Sequence, residues 1–364
     1  MSGELASVAG AGADVRFCSR EVGAAIVIKT VLLGLGAIVA AVAIADLWLR
    51  VRYGLGNPPL YVADARTGYR LAPNQTLRRR GNRIVINQYS MRGPEISPQR
   101  PADTLRVLMV GDSIVNGGWW TDQDELLSVK VEGELAALGL PGVPAVEVLN
   151  ASANSWGPRN ELGYVLRFGT FEAQVVLVVL NTDDLFAIAP HAYELGRSPQ
   201  YPTRRPPLAL AELLARRRPY SPSPELQALY DQPGDRVGVN LEALRQLHQT
   251  VAAANGRLVL ALTPLRRELE GDGPRDYELA ARQRLNAFVT AQGIPYLDFL
   301  PQFQATNHAE LYFDHIHLSA AGNRRVAPAL ATLVAEAWAP PPSPPALGDD
   351  PLPDLWQTAD HSGQ

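Results

Sequence analysis

Short apolar runs alternate with longer amphipathic stretches from Thr104 to Trp338. A short apolar run between turn residues is typical of a buried strand, and apolar positions three or four apart are typical of a helix. The alternation predicts a parallel sheet covered by helices on both faces. The predicted strands are Leu105–Val110, Ala145–Leu149, Gln174–Leu180, Arg257–Leu262 and Ile294–Leu297. The predicted helices are Asp124–Leu138, Pro158–Phe168, Leu241–Ala254, Tyr277–Ala291 and Ser319–Trp338.

We assign residues 104–338 to this alternating domain, and one segment inside it departs from the pattern. Residues 187–238 are rich in proline and tyrosine, and within them only Leu208–Arg216 resembles a short helix. Long insertions often cap a site and shape its pocket, although a poorly ordered surface excursion would fit the composition equally well. The Pro-rich tail, residues 339–364, is predicted to be disordered or extended.

Residues 22–49 include an uncharged stretch, Thr30–Ala45, and are long enough to cross a bilayer if Lys29 lies near one face. A cleaved signal peptide is the alternative. However, residues 1–21, which precede the apolar stretch, would form an unusually long n-region for a signal peptide, and they include acidic residues. We therefore predict an uncleaved single-pass anchor with residues 1–21 in the cytoplasm. Basic residues flank both sides, so charge does not fix the orientation, and long domains translocate largely regardless of it. We expect the large domain outside the cytoplasm, at the cell membrane.

Residues 50–103 connect the predicted anchor to the alternating domain. Gly54–Pro59 has the composition of a linker, and the strand-like Arg83–Asn87 predicts one small hairpin beside the main sheet. The basic side chains here are most simply a solvated surface, and a role near an anionic lipid or glycan is the secondary interpretation.

Charge and cysteine content exclude several functions. The net charge is −4 and no basic run is longer than Arg78–Arg80, so a nucleic-acid partner is not expected. Cys18 is the only cysteine, which excludes an intrachain disulfide framework and a thiolate metal site.

The first predicted strand leads directly into Gly111-Asp112-Ser113. Loops at the carboxyl edge of an open parallel sheet are where ligands bind, so Ser113 would lie at the mouth of a crevice. Such a place suits a nucleophile. A turn followed by a serine that caps a helix is the simpler alternative, and only a base nearby would distinguish the two.

A candidate base precedes the last predicted helix. Asp314 and His317 are three residues apart, a spacing that lets the carboxylate reach the imidazole in one tight turn and leave the other ring nitrogen for Ser113. We interpret His315 as a solvent-facing neighbour. The two histidines could also bind a metal, but no further ligands cluster nearby, so neither a metal nor another cofactor is expected.

Four sequence blocks resemble, in order and placement, those of the SGNH/GDSL hydrolase family, and the resemblance runs from about Leu105 to Ala337. The blocks are Gly111–Ser113, Asn150–Pro158, Asn181–Asp184 and Asp314–His317. Ser90–Glu95 is also similar to a segment that precedes Gly-Asp-Ser in many members. The resemblance implies a flavodoxin-like three-layer αβα sandwich. It also implies ester hydrolysis or acyl transfer through Ser113, His317 and Asp314, without a cofactor.

Two blocks depart from the family pattern, and both concern the oxyanion hole. In the second block Ser155 occupies the usual glycine position, with Gly157 two residues later; its backbone amide could still donate if its torsion angles suit a non-glycine residue. In the third block Asp183 occupies the place of the usual asparagine, and an ionised carboxylate cannot donate a hydrogen bond. Asp183 could stay protonated, Asn181 could donate instead, or catalysis could be lost; we favour Asn181 or a shifted loop.

Trp119, Trp120 and Trp156 flank the first two blocks. Indoles could stack on a sugar or line an acyl pocket, or they could pack in the core beneath the loops. Together with the predicted anchor they favour a membrane-bound esterase for an acyl group, acetyl first, on an envelope glycan or lipid. An acyltransferase to a sugar hydroxyl and a non-catalytic glycan-binding or assembly protein are the alternatives.

Overall fold

The computed structural model describes residues 11–306 and 309–338. Residues 1–10 and the predicted Pro-rich tail, 339–364, lie outside the described residues. The strands are β1 (Tyr61–Asp64), β2 (Gly68–Leu71), β3 (Gln75–Arg79), β4 (Asn82–Ile86), β5 (Thr104–Gly111), β6 (Ala145–Ser152), β7 (Val175–Asn181), β8 (Arg257–Thr263) and β9 (Tyr296–Asp298). The α-helices are α1 (Ala11–Tyr53), α2 (Ser113–Asn116), α3 (Leu127–Ala137), α4 (Pro158–Phe168), α5 (Ala209–Arg217), α6 (Pro224–Asp231), α7 (Arg236–Ala253), α8 (Asp276–Gln292), α9 (Leu300–Gln304) and α10 (Ala320–Trp338).

The five last strands form one parallel sheet in the order β6-β5-β7-β8-β9. Every residue of β5 and β7 is buried, because helices cover both faces of the sheet. From β5 the chain first adds β6 on one side and then β7 on the other, and this change of direction opens a crevice at the carboxyl ends of β5 and β7. The predicted parallel αβα architecture is confirmed.

The helices divide between the two faces. Apolar residues of α3 and α10 pack together on one face, and those of α4, α7 and α8 pack on the other. The third helix begins at Leu127 rather than at the predicted Asp124, because Asp122 caps a separate 3₁₀ turn over Gln123–Glu125 and accepts a hydrogen bond from Asp124 N. This turn leads the chain from α2 to α3.

The segment before the sheet differs from the prediction of one hairpin. It contains two antiparallel hairpins, β1–β2 and β3–β4. The first escaped prediction because strands of four residues show too little alternation. Several side chains of these strands, among them Tyr61 and Tyr69, are buried in the main core. Arg92 just after them is also buried and does not belong to a solvated surface.

Helix α1 packs directly against the insertion, without an independent linker. It continues to Tyr53, beyond the predicted end at residue 49. Asp46 Oδ1 accepts hydrogen bonds from the amides of Ala209 and Leu210 at 2.5 and 3.3 Å, and so caps α5. The amide of Gly56 donates to Glu212 Oε2 at 2.6 Å. The insertion is therefore ordered in this region and is held against the carboxyl end of α1.

Within the described residues, Ala25–Tyr53 is the one helical segment long and apolar enough to cross a membrane. Its apolar side chains, such as Leu33 and Ile38, are exposed. A signal sequence near an N-terminus would have the same length and composition.

A buried ion pair joins β3 to the insertion, and we predict that breaking it destabilises the fold. The Arg79 and Glu212 side chains are each about 95% buried and form two hydrogen bonds. Arg79→Met removes the buried partner of Glu212 and leaves its carboxylate only the partly exposed Arg216 and the Gly56 amide. The loss should lower the free energy of unfolding by about 3 kcal/mol, the lower end of the range for a broken buried ion pair. The measurement is urea unfolding of the detergent-solubilised chain.

Two variants complete that test. Arg79→Met combined with Glu212→Leu should recover most of the loss, because no charge remains buried. In the exposed Arg245–Glu242 pair, Arg245→Met should leave the free energy of unfolding nearly unchanged, because solvent screens this pair. Equal losses in the buried and the exposed pair would contradict the prediction.

Candidate active site

Ser113, His317 and Asp314 lie together at the carboxyl edge of the sheet. His317 Nε2 is 2.8 Å from Ser113 Oγ, and His317 Nδ1 is 2.7 Å from Asp314 Oδ2. Ser113 Oγ also lies 3.1 Å from Asp112 Oδ2. With the carboxylate on Nδ1, the ring carries its proton there and Nε2 is free to accept from the serine hydroxyl. This arrangement can deprotonate Ser113 as it attacks a carbonyl.

Local structure holds each of the three side chains. Ser113 begins α2 directly after β5, and Asp112 caps this turn by accepting a hydrogen bond from Ile114 N at 2.8 Å. Asp314 Oδ1 accepts from the amides of Ile316 and His317, both at 2.9 Å, and so closes the tight turn that the spacing predicts. Burial acts to raise the pKa of Asp314, but the hydrogen bonds from His317 lower it below its ordinary value. The carboxylate therefore stays ionised beside the imidazole.

A cluster of buried carboxyl groups lies beneath the serine. Burial raises the pKa of Asp112, and it raises the pKa values of Glu161 and Asp184 further, with the charge of Asp112 adding to both. Both oxygens of Glu161 are buried without a hydrogen-bond partner among the described residues. These acids are thus held in the protonated form more strongly than exposed ones.

Asn181 is placed in this cluster and not in an oxyanion hole. Its Nδ2 donates to Asp112 Oδ2 at 3.0 Å and to Asp184 Oδ2 at 2.9 Å, which uses both amide hydrogens. The sequence-based preference for Asn181 as the oxyanion donor is therefore corrected by this geometry. Strand alternation gave the correct side of the strand but could not show that two carboxyl groups occupy the amide.

Asp183 does not line the cavity that contains Ser113. Its side chain is exposed, and its amide donates to Asn181 Oδ1 at 2.8 Å. Burial of its carboxyl raises the pKa, which the charge of Arg267 partly opposes. The expected repulsion between this carboxylate and a developing oxyanion therefore does not arise from a shared cavity.

Ser155 retains the left-handed backbone conformation that a glycine would favour, with φ +58°. Its Oγ is 2.7 Å from Tyr201 Oη of the insertion. Tyr69 Oη donates to the carbonyl of Asn154 at 2.5 Å, and this carbonyl belongs to the peptide group whose N–H is that of Ser155. Because C=O and N–H point in opposite directions in a trans peptide, Tyr69 fixes the direction of the Ser155 amide.

Gly157 has a packing role in the structure. Its amide donates to Asn160 Oδ1 at 3.1 Å at the start of α4, so it is not free for a ligand. A Cβ at this position would lie 2.4 Å from Cβ of Ala187, the first residue of the insertion. The sequence-based assignment of Gly157 to the oxyanion hole is therefore corrected.

A cavity of about 430 Å³ opens above Ser113 and His317. Trp119 and Trp120 line it and are not core residues, whereas Trp156 is 1% exposed and donates from Nε1 to the carbonyl of Tyr69 at 2.9 Å. The Trp120 ring lies 4.3 Å from the His317 ring, between centroids. His315 also reaches the cavity edge, although its side chain is 83% exposed, as predicted.

Three cavity residues were missed in the sequence. Asn116 lies on the same short helix as Ser113, and Asn154 comes directly before Ser155. Both carry side-chain amides, and Asn154 Oδ1 has no partner among the described residues. Their closeness in the sequence to the motifs around Ser113 and Ser155 could have identified them.

Arg92 is the third residue that was missed. It is buried and donates to the carbonyls of Asn116 and Gly118 at 2.8 and 2.7 Å. Its position in the family-like segment Ser90–Glu95 could have identified it.

Within the described part of the chain, no three His, Cys, Asp or Glu side chains form a group that could hold a metal ion.

A family model described as GDSL-like lipase/acylhydrolase matches residues 109–325, more than half of the chain. The match starts in β5 and ends in α10, so it includes Ser113, Asp314 and His317. No curated protein sequence matches this chain significantly.

Solved structures with a related fold include several esterases. One is the acetyl xylan esterase AlAXEase, at 14% identity, covering 63% of this chain and 99% of its own, with a TM-score of 0.42. A second is a catalytic mutant of Axe2, an acetylxylan esterase from Geobacillus stearothermophilus, at 15% identity. The match covers 65% of this chain and 96% of that chain, with a TM-score of 0.42. A third is a putative lipolytic protein of the G-D-S-L family from Desulfitobacterium hafniense, at 11% identity. The match covers 63% of this chain and 99% of that chain, with a TM-score of 0.40.

The buried Glu161 predicts a distinctive pH dependence of stability. Its raised pKa means that the folded chain keeps a proton that the unfolded chain releases near pH 4, so stability falls as pH rises above that value. As pH rises towards the raised pKa of Glu161, the free energy of unfolding of the wild-type chain should fall by up to about 1.4 kcal/mol per pH unit relative to that of Glu161→Gln. Urea unfolding from pH 5 to pH 8 measures this difference. As a control, stability plotted against pH for Glu134→Gln, at an exposed position, should be parallel to the wild-type plot. A Glu161→Gln plot that is also parallel to the wild-type plot would refute the prediction.

Proposed function

Because the chain belongs to the GDSL-like lipase/acylhydrolase family and is an ester hydrolase, we propose that it cleaves an O-acyl ester through Ser113, His317 and Asp314. The observation that carries this proposal is the continuous hydrogen-bonded series from Asp314 through His317 to Ser113. Two contacts of 2.7 and 2.8 Å support His317 as the general base for the Ser113 hydroxyl and Asp314 as the carboxylate that orients it.

In the proposed reaction Ser113 Oγ attacks the ester carbonyl while its proton passes to His317 Nε2. The tetrahedral intermediate collapses, the C–O bond to the alcohol breaks, and His317 returns the proton to the leaving alcohol. A water molecule then attacks the acyl-serine with His317 as base, releasing the carboxylic acid and restoring Ser113. Asp314 remains ionised throughout and stabilises the imidazolium.

We assign the backbone amides of Ser113 and Ser155 to the oxyanion hole. The Ser155 amide makes no hydrogen bond with other described residues, and the Tyr69 hydroxyl fixes its peptide group from the opposite side. The bond from Tyr201 to Ser155 Oγ offsets part of the cost of a left-handed serine, which is of order 1 kcal/mol. The side-chain amide of Asn154, which lines the cavity, supplies the third donor in place of the family's asparagine; Asn116 is less suited, because its Nδ2 already donates to Ser152.

For the substrate we propose an acyl group, acetyl first, on an envelope glycan or lipid. The exposed faces of Trp119 and Trp120 suit stacking on a sugar or contact with an alkyl group. Helix α1 supplies an uncleaved single-pass anchor, and the hydrolase domain lies outside the cytoplasm. There the enzyme acts on material at the membrane surface.

We predict that Ser113→Ala removes hydrolysis of a short-chain aryl acetate by the full chain. Loss of the nucleophile should lower kcat by at least about a thousandfold. Asp314→Asn should keep the geometry but lower kcat by about 10⁴-fold, because the imidazole tautomer is no longer fixed. Stopped-flow or steady-state release of the phenol measures both.

The exposed Ser97→Ala serves as the control and should retain full activity. Turnover that persists in Ser113→Ala would refute the serine mechanism. A folded wild-type chain without turnover would favour a non-catalytic binding protein or a transferase with a specialised donor.

Tyr69→Phe tests the oxyanion assignment. Without the hydroxyl, the peptide group between Asn154 and Ser155 can rotate, and the Ser155 amide no longer points towards the developing oxyanion. We therefore expect kcat to fall about tenfold to a hundredfold while KM changes little. Tyr164→Phe is the matched control, because Tyr164 also donates from a buried ring to a backbone carbonyl, that of Tyr89 at 2.8 Å, which lies outside the Asn154–Ser155 loop. Equal effects of the two substitutions on kcat would contradict a positioning role for Tyr69.

A further inference from the structure

A second large cavity lies at the carboxyl end of α1. It measures about 960 Å³, and its lining brings together Arg50 and Arg52 of α1, Arg78 of β3 and Arg205 of the insertion. Only Arg50 has a carboxylate partner, Asp46 at 2.6 Å; the other three form no ion pair with described residues. In a chain of net charge −4 this is a local excess of positive charge, and it favours an anionic ligand.

The same cavity offers features for the uncharged part of a ligand. Trp48 and Leu55 line it as apolar surface. Asn57 also lines it, and its Oδ1 is buried without a hydrogen-bond partner among the described residues. Such an oxygen accepts a hydrogen bond, so a ligand hydroxyl would satisfy it. The cavity therefore combines contacts for a phosphate, a hydroxyl and an alkyl group.

Its position relative to α1 identifies the source of such a ligand. The candidate span, Ala25–Tyr53, ends among these arginines, and Trp48 and Tyr53 are the aromatic residues typical of a membrane interface. With α1 in a bilayer, the guanidinium groups lie at the level of the lipid phosphates. Each basic group near an anionic membrane surface contributes about 1 kcal/mol of attraction, a fivefold change in affinity.

We propose that this cavity binds the headgroup of an anionic, hydroxyl-bearing phospholipid of the surrounding bilayer. The phosphate lies between Arg52, Arg78 and Arg205, the headgroup hydroxyl donates to Asn57, and the glycerol and upper acyl chains lie along Trp48 and Leu55. The proposal depends on α1 as the membrane anchor of the proposed function, but it does not require the ester chemistry.

Bound lipid would also hold the catalytic cavity at the membrane surface. A third, mostly apolar cavity of about 460 Å³ shares Trp48 and Leu55 with the arginine cavity. It shares Trp119 and Arg216 with the cavity above Ser113. A lipid at the arginines would therefore lie in the outermost of three adjacent cavities, the innermost of which contains Ser113.

Lipid binding by the full chain in non-ionic detergent tests this proposal. The probe is fluorescent phosphatidylglycerol, and phosphatidylcholine with the same fluorophore is the zwitterionic comparison. Wild-type protein should bind phosphatidylglycerol at least tenfold more tightly. Arg78→Gln with Arg205→Gln should weaken this binding about thirtyfold, because two attractive charges are lost. The matched control, Arg325→Gln with Arg100→Gln, removes two arginines that line none of the three cavities and should bind within twofold of the wild type.

Several outcomes would overturn the proposal. These are equal affinity for the two lipids, unchanged affinity in Arg78→Gln/Arg205→Gln, and full displacement of the lipid by inorganic phosphate, which would indicate a site for soluble anions. Aryl acetate turnover by the same proteins separates the two hypotheses. Normal turnover without lipid selectivity defeats only the lipid site, whereas selective lipid binding without turnover defeats only the esterase proposal.

Discussion

A single hydrogen bond of 2.8 Å, between His317 Nε2 and Ser113 Oγ, joins residues 204 positions apart in the chain. It can form because β5 is an interior strand that leads directly into Ser113, while the turn before α10 brings His317 to the same edge of the sheet. The burial of β5, β7 and α10 thus fixes the distance between these two side chains. A rigid αβα core supplies this precision, and the loops at its carboxyl edge hold the candidate site.

The segments outside the sheet are as much part of the site as the sheet itself. Tyr69 from the first hairpin and Tyr201 from the insertion bond to the two halves of the Asn154–Ser155 loop. The insertion is in turn capped by Asp46 of α1 and paired with Arg79 of β3. Helix α1, the hairpins, the insertion and the Asn154–Ser155 loop are consequently joined by hydrogen bonds and ion pairs into one connected structure.

Much of the sheet was predictable from the sequence. Unbroken apolar runs such as Leu105–Val110 are diagnostic because a strand buried on both faces tolerates few polar residues. The Asp314–His317 pair was predictable because its geometry is local. The hairpin β1–β2 was not, since four-residue strands carry little pattern. The environment of Asn181 was also hidden, because its partners Asp112 and Asp184 are brought together by packing and not by spacing.

The sequence by itself therefore determined the sheet, the family, the apolar helix and the local turn that holds His317, all of which depend on periodicity or short spacing. Tertiary structure alone decided which groups face the cavity. It turned Asn181 towards buried acids, moved Asp183 out of the site, placed Trp119 and Trp120 on the cavity wall, and gathered Arg52, Arg78 and Arg205 at the end of α1. The physical reason is that long-range contacts depend on how elements pack against each other, and the residues that meet there carry no common pattern along the chain.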